Sequence, residues 1–166
     1  MKLLIILFMA VNLLTTETPN DWAIDRAWFS MSTEQQYNAP VEYKARACGL
    51  TVDEFILISS VVEAESDRGE SLDGRILIAE TILNRVNNSA FPDNITDVCY
   101  QPGQFSVISN GAAWSVGRTA RSDWAVIEAV REINTGSGPN VLYFNNSGYA
   151  YGTPYGYVDG NYFVVG

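Results

Sequence analysis

The chain opens on a continuous apolar run, Leu3 to Val11, which follows Met1 and Lys2, continues through Asn12 to Leu14 and turns polar at Thr15, Thr16 and Glu17. A short positive start, an apolar stretch too brief for a comfortable stop-transfer span and a polar exit make the layout of a signal peptide. It is assigned to residues 1–17, although no clean A-x-A marks a cleavage point. From about Thr18 to Leu50 the pattern loses its period. Pro19, Asn20, Asn38 and Pro40 break it, and Trp22, Trp28 and Phe29 are scattered through it. Residues 18–50 therefore read as a leader or linker; the competing reading is that Trp22 to Phe29 packs as a short helix on the domain that follows.

Strong periodicity begins at Thr51. Thr51-Val52-Asp53-Glu54 is a capping box, and the apolar residues from Phe55 to Ile58, then Val61 and Val62, follow it, which predicts a helix over about Val52 to Glu65. Ile76, Ala79, Ile82 or Leu83, and Val86 recur at helical spacing and predict a second helix over about Asp73 to Asn87, stopped by Asn87, Asn88 and Pro92. A third is expected after Ser122 as N-cap, with Asp123 in its first turn, Trp124, Ile127 and Val130 or Arg131 along one face, and Gly136 and Gly138 as terminators. Phe91 to Gly117 reads as a long loop on this helical scaffold, a common place for binding residues. The tail changes character. Val141 to Phe144 and Asn161 to Val165 are short strand-like runs on either side of a turn-rich Gly, Tyr and Pro segment. The expected fold is a mainly helical α+β domain over residues 51–166 with a short β-rich C-terminal segment.

Composition narrows the chemistry. A chain of 166 residues has room for one such domain and a leader. Its 10 basic and 19 acidic residues leave a net charge of −9, a poor match to nucleic acid, whose affinity rests on neutralising phosphates with Lys and Arg. There is no histidine, which disfavours a Ser-His-Asp triad, a Cys-His peptidase and a His-ligated zinc amidase together. Cys48 and Cys99 are open to three readings: one disulfide in an oxidising compartment, two buried thiols, or an unrelated pair. With no CxxC spacing they cannot complete a zinc shell, and no metal or cofactor is expected.

On a wheel of about 100° per residue, Phe55, Leu57, Ile58, Val61 and Val62 share one arc of the first helix, and Glu65 falls inside it; Glu63 lies with Ser59 on the polar side. A carboxyl at the end of an apolar face has its pKa raised by burial unless it is paired. A general acid acting on a glycosidic oxygen needs that shift. The plainer alternative is that Glu65 is a solvated helix end.

The surrounding string adds to this. Val61-Val62-Glu63-Ala64-Glu65, Gly69-Glu70-Ser71-Leu72-Asp73-Gly74-Arg75 and Ala79-Glu80-Thr81-Ile82-Leu83-Asn84-Arg85-Val86 follow one another, then Phe91-Pro92, Asp97-Val98 and Tyr100-Gln101-Pro102-Gly103-Gln104-Phe105-Ser106. In order and spacing they resemble the cell wall hydrolase family typified by the spore cortex-lytic enzyme SleB, well from Phe55 to Gly111 and loosely beyond. The resemblance implies a lysozyme-like or lytic-transglycosylase-like helical domain, and an exported, cofactor-independent peptidoglycan glycosidase whose catalytic Glu matches Glu65. The stretch between Glu65 and Gly74 is one residue longer than the family pattern, so Glu70 and then Glu63 stand as second choices. In the tail, Gly160-Asn161-Tyr162-Phe163 resembles a family segment that carries a His where Tyr162 stands or beside it.

Gln104 is a candidate for holding substrate acetamido or hydroxyl groups, or a loop amide bonded to backbone. Tyr100, Phe105, Tyr143 and Tyr162 are candidates for stacking on sugars, with core packing as the alternative, favoured for Phe105. Asn84 and Arg85 are expected to bond across to a loop. The implied partner is the glycan strand of peptidoglycan, met by a monomer that touches a membrane only through its N-terminal segment. The expected reaction is cleavage between N-acetylmuramic acid and N-acetylglucosamine by a lytic transglycosylase or a muramidase-type hydrolase. The alternative is a non-catalytic wall-binding or assembly protein on the same fold.

Overall fold

The structure, a computed structural model, describes residues 27–66 and 71–166. The expected signal peptide and the candidate Glu70 lie outside the described residues. Among the described residues, helices follow in chain order: α1 (Thr33–Tyr37), α2 (Val41–Ala47), α3 (Val52–Glu65), α4 (Leu72–Val86), α5 (Ile95–Tyr100), α6 (Ser106–Ser109), α7 (Ala112–Val116) and α8 (Ala120–Thr135). Residues 27–30 are also helical. The strands β1 (Val141–Asn145), β2 (Thr153–Val158) and β3 (Asn161–Val165) form an antiparallel sheet in the order β1-β3-β2. The domain is mainly helical with a small C-terminal sheet, as the periodicity predicted. None of the described helices is long and apolar enough to cross a membrane.

The capping box forms as predicted: Thr51 Oγ1 accepts from the Glu54 N–H, and the Glu54 carboxylate accepts from the Thr51 N–H at 2.9 Å. The cap starts α3, but burial sustains it. Val and Ile are mediocre helix formers, and each fully buried one contributes about 1.5–3 kcal/mol, which outweighs the propensity cost of a few tenths. Phe55, Ile58, Val61 and Val62 are fully buried, and so is Ser59. The wheel's polar side is therefore not a solvent face. Helix α3 packs against α2, α4, α5, α6, α7 and α8 and is the centre of the domain; Asp53 in its first turn is exposed, and Glu63 and Glu65 at its C-terminal end are half-buried.

Four expectations change. Over its described part, the segment expected to be a linker is helical and joined to the core. Trp28 and Ala45 belong to the core cluster, and the buried Lys44 ammonium lies 2.9 Å from Asp123 of α8. The third helix starts earlier than Ser122: Thr119 is its N-cap, with Ser122 at N3 in a reciprocal capping box, where a Ser takes the place of the usual Glu or Gln. The region from Phe91 to Gly117 contains α5, α6 and α7, each too short to show a period. In the tail, the Gly, Tyr and Pro segment taken for a turn supplies β2, an edge strand, where a Pro is tolerated.

The sheet is tied to α4 by two side chains of the Asn-Arg pair. Asn84 Nδ2 donates to the carbonyls of Pro139 and Val141, both at 3.1 Å, and Arg85 Nε donates to the carbonyl of Leu142 at 2.8 Å. These bonds satisfy backbone where β1 begins and fix the sheet over one side of the helical core.

Candidate active site

Glu65 is the last residue of α3, and Ser66 ends the helix by turning its own N–H onto the Val62 and Glu63 carbonyls. The Glu65 side chain is half-buried. Burial raises its pKa above the ordinary 4.5, and a hydrogen bond from the Val107 backbone N–H, at the start of α6, opposes part of that rise. Among the described residues it forms no ion pair. A carboxyl in this setting keeps its proton to higher pH than a solvated one and can deliver it to an oxygen that enters the opening.

Glu63 is engaged differently. One carboxylate oxygen lies 3.3 Å from an Arg75 nitrogen and the other accepts from Thr119 Oγ1 at 2.7 Å. Thr119 is also the N-cap of α8, so Glu63 ties α3 to the starts of two neighbouring helices. Sequence reasoning missed Arg75 and Thr119 as its partners, since neither is near it in the chain.

Arg85 organises the aromatic candidates. Its guanidinium lies 5.0 Å from the Phe91 ring centroid, 5.4 Å from Phe105 and 5.6 Å from Tyr143. Burial pushes its pKa down to about 10, against the opposing influence of Tyr143 and Cys99, so it remains a cation at neutral pH and attracts the ring faces. Phe105 is buried and packs on Phe144 of β1 at 6.2 Å; it is a core residue. Two positions further on, Val107 reaches Glu65, so the packing of Phe105 sets the height of the Glu65 partner. Tyr143 is half-buried, between Phe91 and Tyr151. Tyr100 is half exposed, Gln104 exposed, with its backbone N–H on the Gln101 carbonyl. Tyr162 belongs to a different group of rings, against Tyr149 and Tyr157.

Asp159 carried no signal in the sequence beyond preceding a Gly. It sits at φ 49° in the tight β2–β3 turn and its carboxylate accepts from Ser71 Oγ, the N-cap of α4. Gly74 leaves the space that this carboxylate fills, because a Cβ there would collide with Asp159 Oδ2. The hairpin is thereby latched to the first turn of α4.

Both cysteines are free thiols, so the disulfide reading is corrected. Cys99 lies in the core, and burial pushes its pKa up to about 12; Cys48 rises to about 12 for the same reason, with the Asp123 charge adding to it. Neither is a thiolate nucleophile at neutral pH. No cluster of three acidic, Cys or His ligands occurs among the described residues.

Comparison with known proteins bears on this arrangement. The family model described as Cell Wall Hydrolase matches residues 69–158, a segment that begins four residues after Glu65. A spore cortex-lytic enzyme of Oceanobacillus iheyensis is 31% identical over 97 residues, covering 58% of this chain and 34% of that protein. A spore cortex-lytic enzyme of Bacillus cereus is 30% identical over 113 residues, 66% of this chain and 42% of that protein. The chain thus spans about a third to two fifths of the length of these curated relatives. The crystal structure of the catalytic domain of the Bacillus cereus SleB protein is similar with a TM-score of 0.58 and 25% identity, over 69% of this chain and 91% of that domain. With its matched segment, helical core and C-terminal sheet in agreement, the chain belongs to the cell wall hydrolase family.

Proposed function

We propose that the protein cuts the glycan strand of peptidoglycan between N-acetylmuramic acid and N-acetylglucosamine, with Glu65 as acid and then base. The observation that carries this reading is the contrast between two carboxylates two residues apart: Glu63 is held by Arg75 and Thr119, whereas Glu65 is half-buried, without an ion pair among the described residues and shifted towards its protonated form. In the first step Glu65 gives its proton to the bridging oxygen as the bond to the muramic C1 breaks through an oxocarbenium-like state. The carboxylate so formed then takes a proton from the muramic 6-hydroxyl, whose oxygen closes on C1 to leave a 1,6-anhydro sugar. In a hydrolase, water would supply that oxygen and leave a reducing end.

One carboxylate suffices for the anhydro route, since the second oxygen comes from the substrate itself. Asp159 is occupied by Ser71 at the hairpin latch, which favours the one-carboxylate route. Export to the wall follows from this reading, because the substrate lies outside the cytoplasm. Digestion of purified peptidoglycan, with mass spectrometry of the released sugars, tests the route. Anhydro-muropeptides are expected; reducing muramic ends would replace the transglycosylase by a hydrolase, and binding without any release would favour the non-catalytic alternative.

A further inference from the structure

Between Glu132 and Asp159 there is no charged residue, in a chain that carries 29 of them counted as 10 basic and 19 acidic. The same stretch, with β3, holds six of the nine tyrosines: Tyr143, Tyr149, Tyr151, Tyr155, Tyr157 and Tyr162. They are not the core. Tyr149 is 47% exposed, Tyr151 78%, Tyr155 50% and Tyr157 60%, and large aromatic side chains left in water together mark a binding surface more often than an accident of composition.

The rings are arranged in two contiguous groups. Tyr157 and Tyr162 are cross-strand partners on one face of the sheet, with centroids 4.6 Å apart, and Tyr149 meets Tyr162 edge-on at 5.0 Å. In the other group Tyr151 packs on Tyr143 at 5.8 Å, and Tyr143 on Phe91 at 5.8 Å. That second group packs through the buried Arg85 and Phe105 onto the segment whose Val107 N–H meets Glu65. The ring group and the candidate active site thus share one packed support.

Tyr151 is placed by its backbone. Its φ of 67° is in the left-handed region, where a non-Gly residue is held at a cost of about 1–2 kcal/mol. Gly152 follows at φ 80°, with its Cα pressed against the Val165 carbonyl, where a Cβ would collide. The close approach of Gly152 to β3 forces the turn, and the turn carries the Tyr151 ring outward. The ring is thereby held 78% exposed at the edge of the sheet.

We infer that the tyrosine surface formed by Tyr143, Tyr149, Tyr151, Tyr157 and Tyr162 is a glycan-binding platform that holds sugar rings of the strand beyond those at Glu65. A pyranose presents a face of C–H groups and a rim of hydroxyl and acetamido groups. A tyrosine answers both, with an apolar ring and a hydroxyl at its edge. The absence of charge fits a neutral sugar face and disfavours an ionic partner such as a phosphorylated polymer. The inference rests on the glycan-cutting reading for its choice of occupant.

The test uses the full chain carrying Glu65→Gln, so that binding is read without cleavage, and as probe insoluble peptidoglycan sacculi, with soluble glycan strands freed of stem peptides by an amidase as the competitor that should displace it. Added to that background, Tyr151→Ala and Tyr157→Ala are each expected to weaken co-sedimentation roughly tenfold, the size of one lost aromatic contact. Phe29→Ala, an 83% exposed aromatic elsewhere, is the control and should leave binding unchanged; circular dichroism verifies that each variant is folded. Undiminished binding in folded Tyr variants would overturn the platform while leaving the cleavage proposal intact. Conversely, a chain with native Glu65 that releases no sugar, but whose binding depends on Tyr151 and Tyr157, would keep the platform and overturn the enzyme. If the Tyr variants instead turn a dimer into a monomer and bind sacculi as before, the surface is a contact between copies and the inference fails.

Discussion

At the residue scale the molecule separates two carboxylates by environment alone. Glu63 and Glu65 stand on the same helical turn, but one has a guanidinium and a hydroxyl as partners and the other has partial burial. The sign of the consequence follows from the acid's role. A general acid works only while protonated, and burial lifts the Glu65 pKa above 4.5, so activity should persist above the ordinary carboxylate range and fall as pH rises through the raised value. A pH–rate profile checks this: the alkaline limb should lie above pH 4.5 and be retained in Glu63→Gln, whose own loss should be one of stability. An alkaline limb that vanishes with Glu63→Gln would transfer the acid role to Glu63. The position of Glu65 on the apolar arc was legible in the sequence because helical spacing is local information. Its partner Val107 was not, since a backbone N–H carries no residue signature and lies 42 positions away by the numbering of the two residues.

At the element scale, charges buried between helices govern how the scaffold holds. Lys44 of α2 and Asp123 of α8 form a buried pair, joined by Arg118 at 2.5 Å from the same carboxylate oxygen. Removing Lys44 leaves Asp123 with Arg118, whereas removing Asp123 strands the buried Lys44 ammonium. Asp123→Ala should therefore destabilise by about 3–5 kcal/mol, measured by urea unfolding; a change within about 0.5 kcal/mol would mean that residues 41–47 are not joined to the domain in solution. This joint was invisible in the sequence because the segment containing it is short, interrupted by Pro40 and without a period, so only tertiary packing makes it helical.

Glu80, in the middle of α4, is fully buried with both oxygens unpartnered, against Gly138 and beside Glu132. Burial chiefly, and then the Glu132 carboxyl, push its pKa up to about 8. Two neighbouring carboxyls repel one another once both are ionised, which favours the protonated form of the buried one. The unfolded chain ionises Glu80 near 4.5 and the folded chain near 8, so the contribution to stability is fully present below 4.5 and is lost as pH rises towards 8. Glu80→Gln, which keeps the shape and removes the charge, should raise stability by about 1–3 kcal/mol at pH 8. At pH 4 it should change stability little. Thermal melts of both proteins across that range measure the difference, and a gap that does not widen with pH would show that Glu80 stays ionised in the fold.

At the scale of the whole molecule, a central helix packed against six others carries two half-buried carboxyls at its C-terminal end, and a small sheet is latched to α4 through Asn84, Arg85 and Asp159. The three long helices and two of the strands were readable from period and caps, which depend on neighbours in the chain. The short helices α5 to α7 and the edge strand β2 were not, because their residues are placed by contacts made elsewhere: Pro154 and the glycines at 152 and 156 read as turn until β3 supplies a partner. The Cys pair shows the same limit, since two cysteines in a sequence cannot reveal that both stay free.

The most direct test compares the purified chain with Glu65→Gln on peptidoglycan, counting soluble sugars by mass spectrometry. The account predicts anhydro-muropeptides from the native chain and a loss of about 10²–10⁴-fold in the folded variant, the range for removing a general acid. Equal release from the two proteins would contradict the assignment of Glu65 as the catalytic acid.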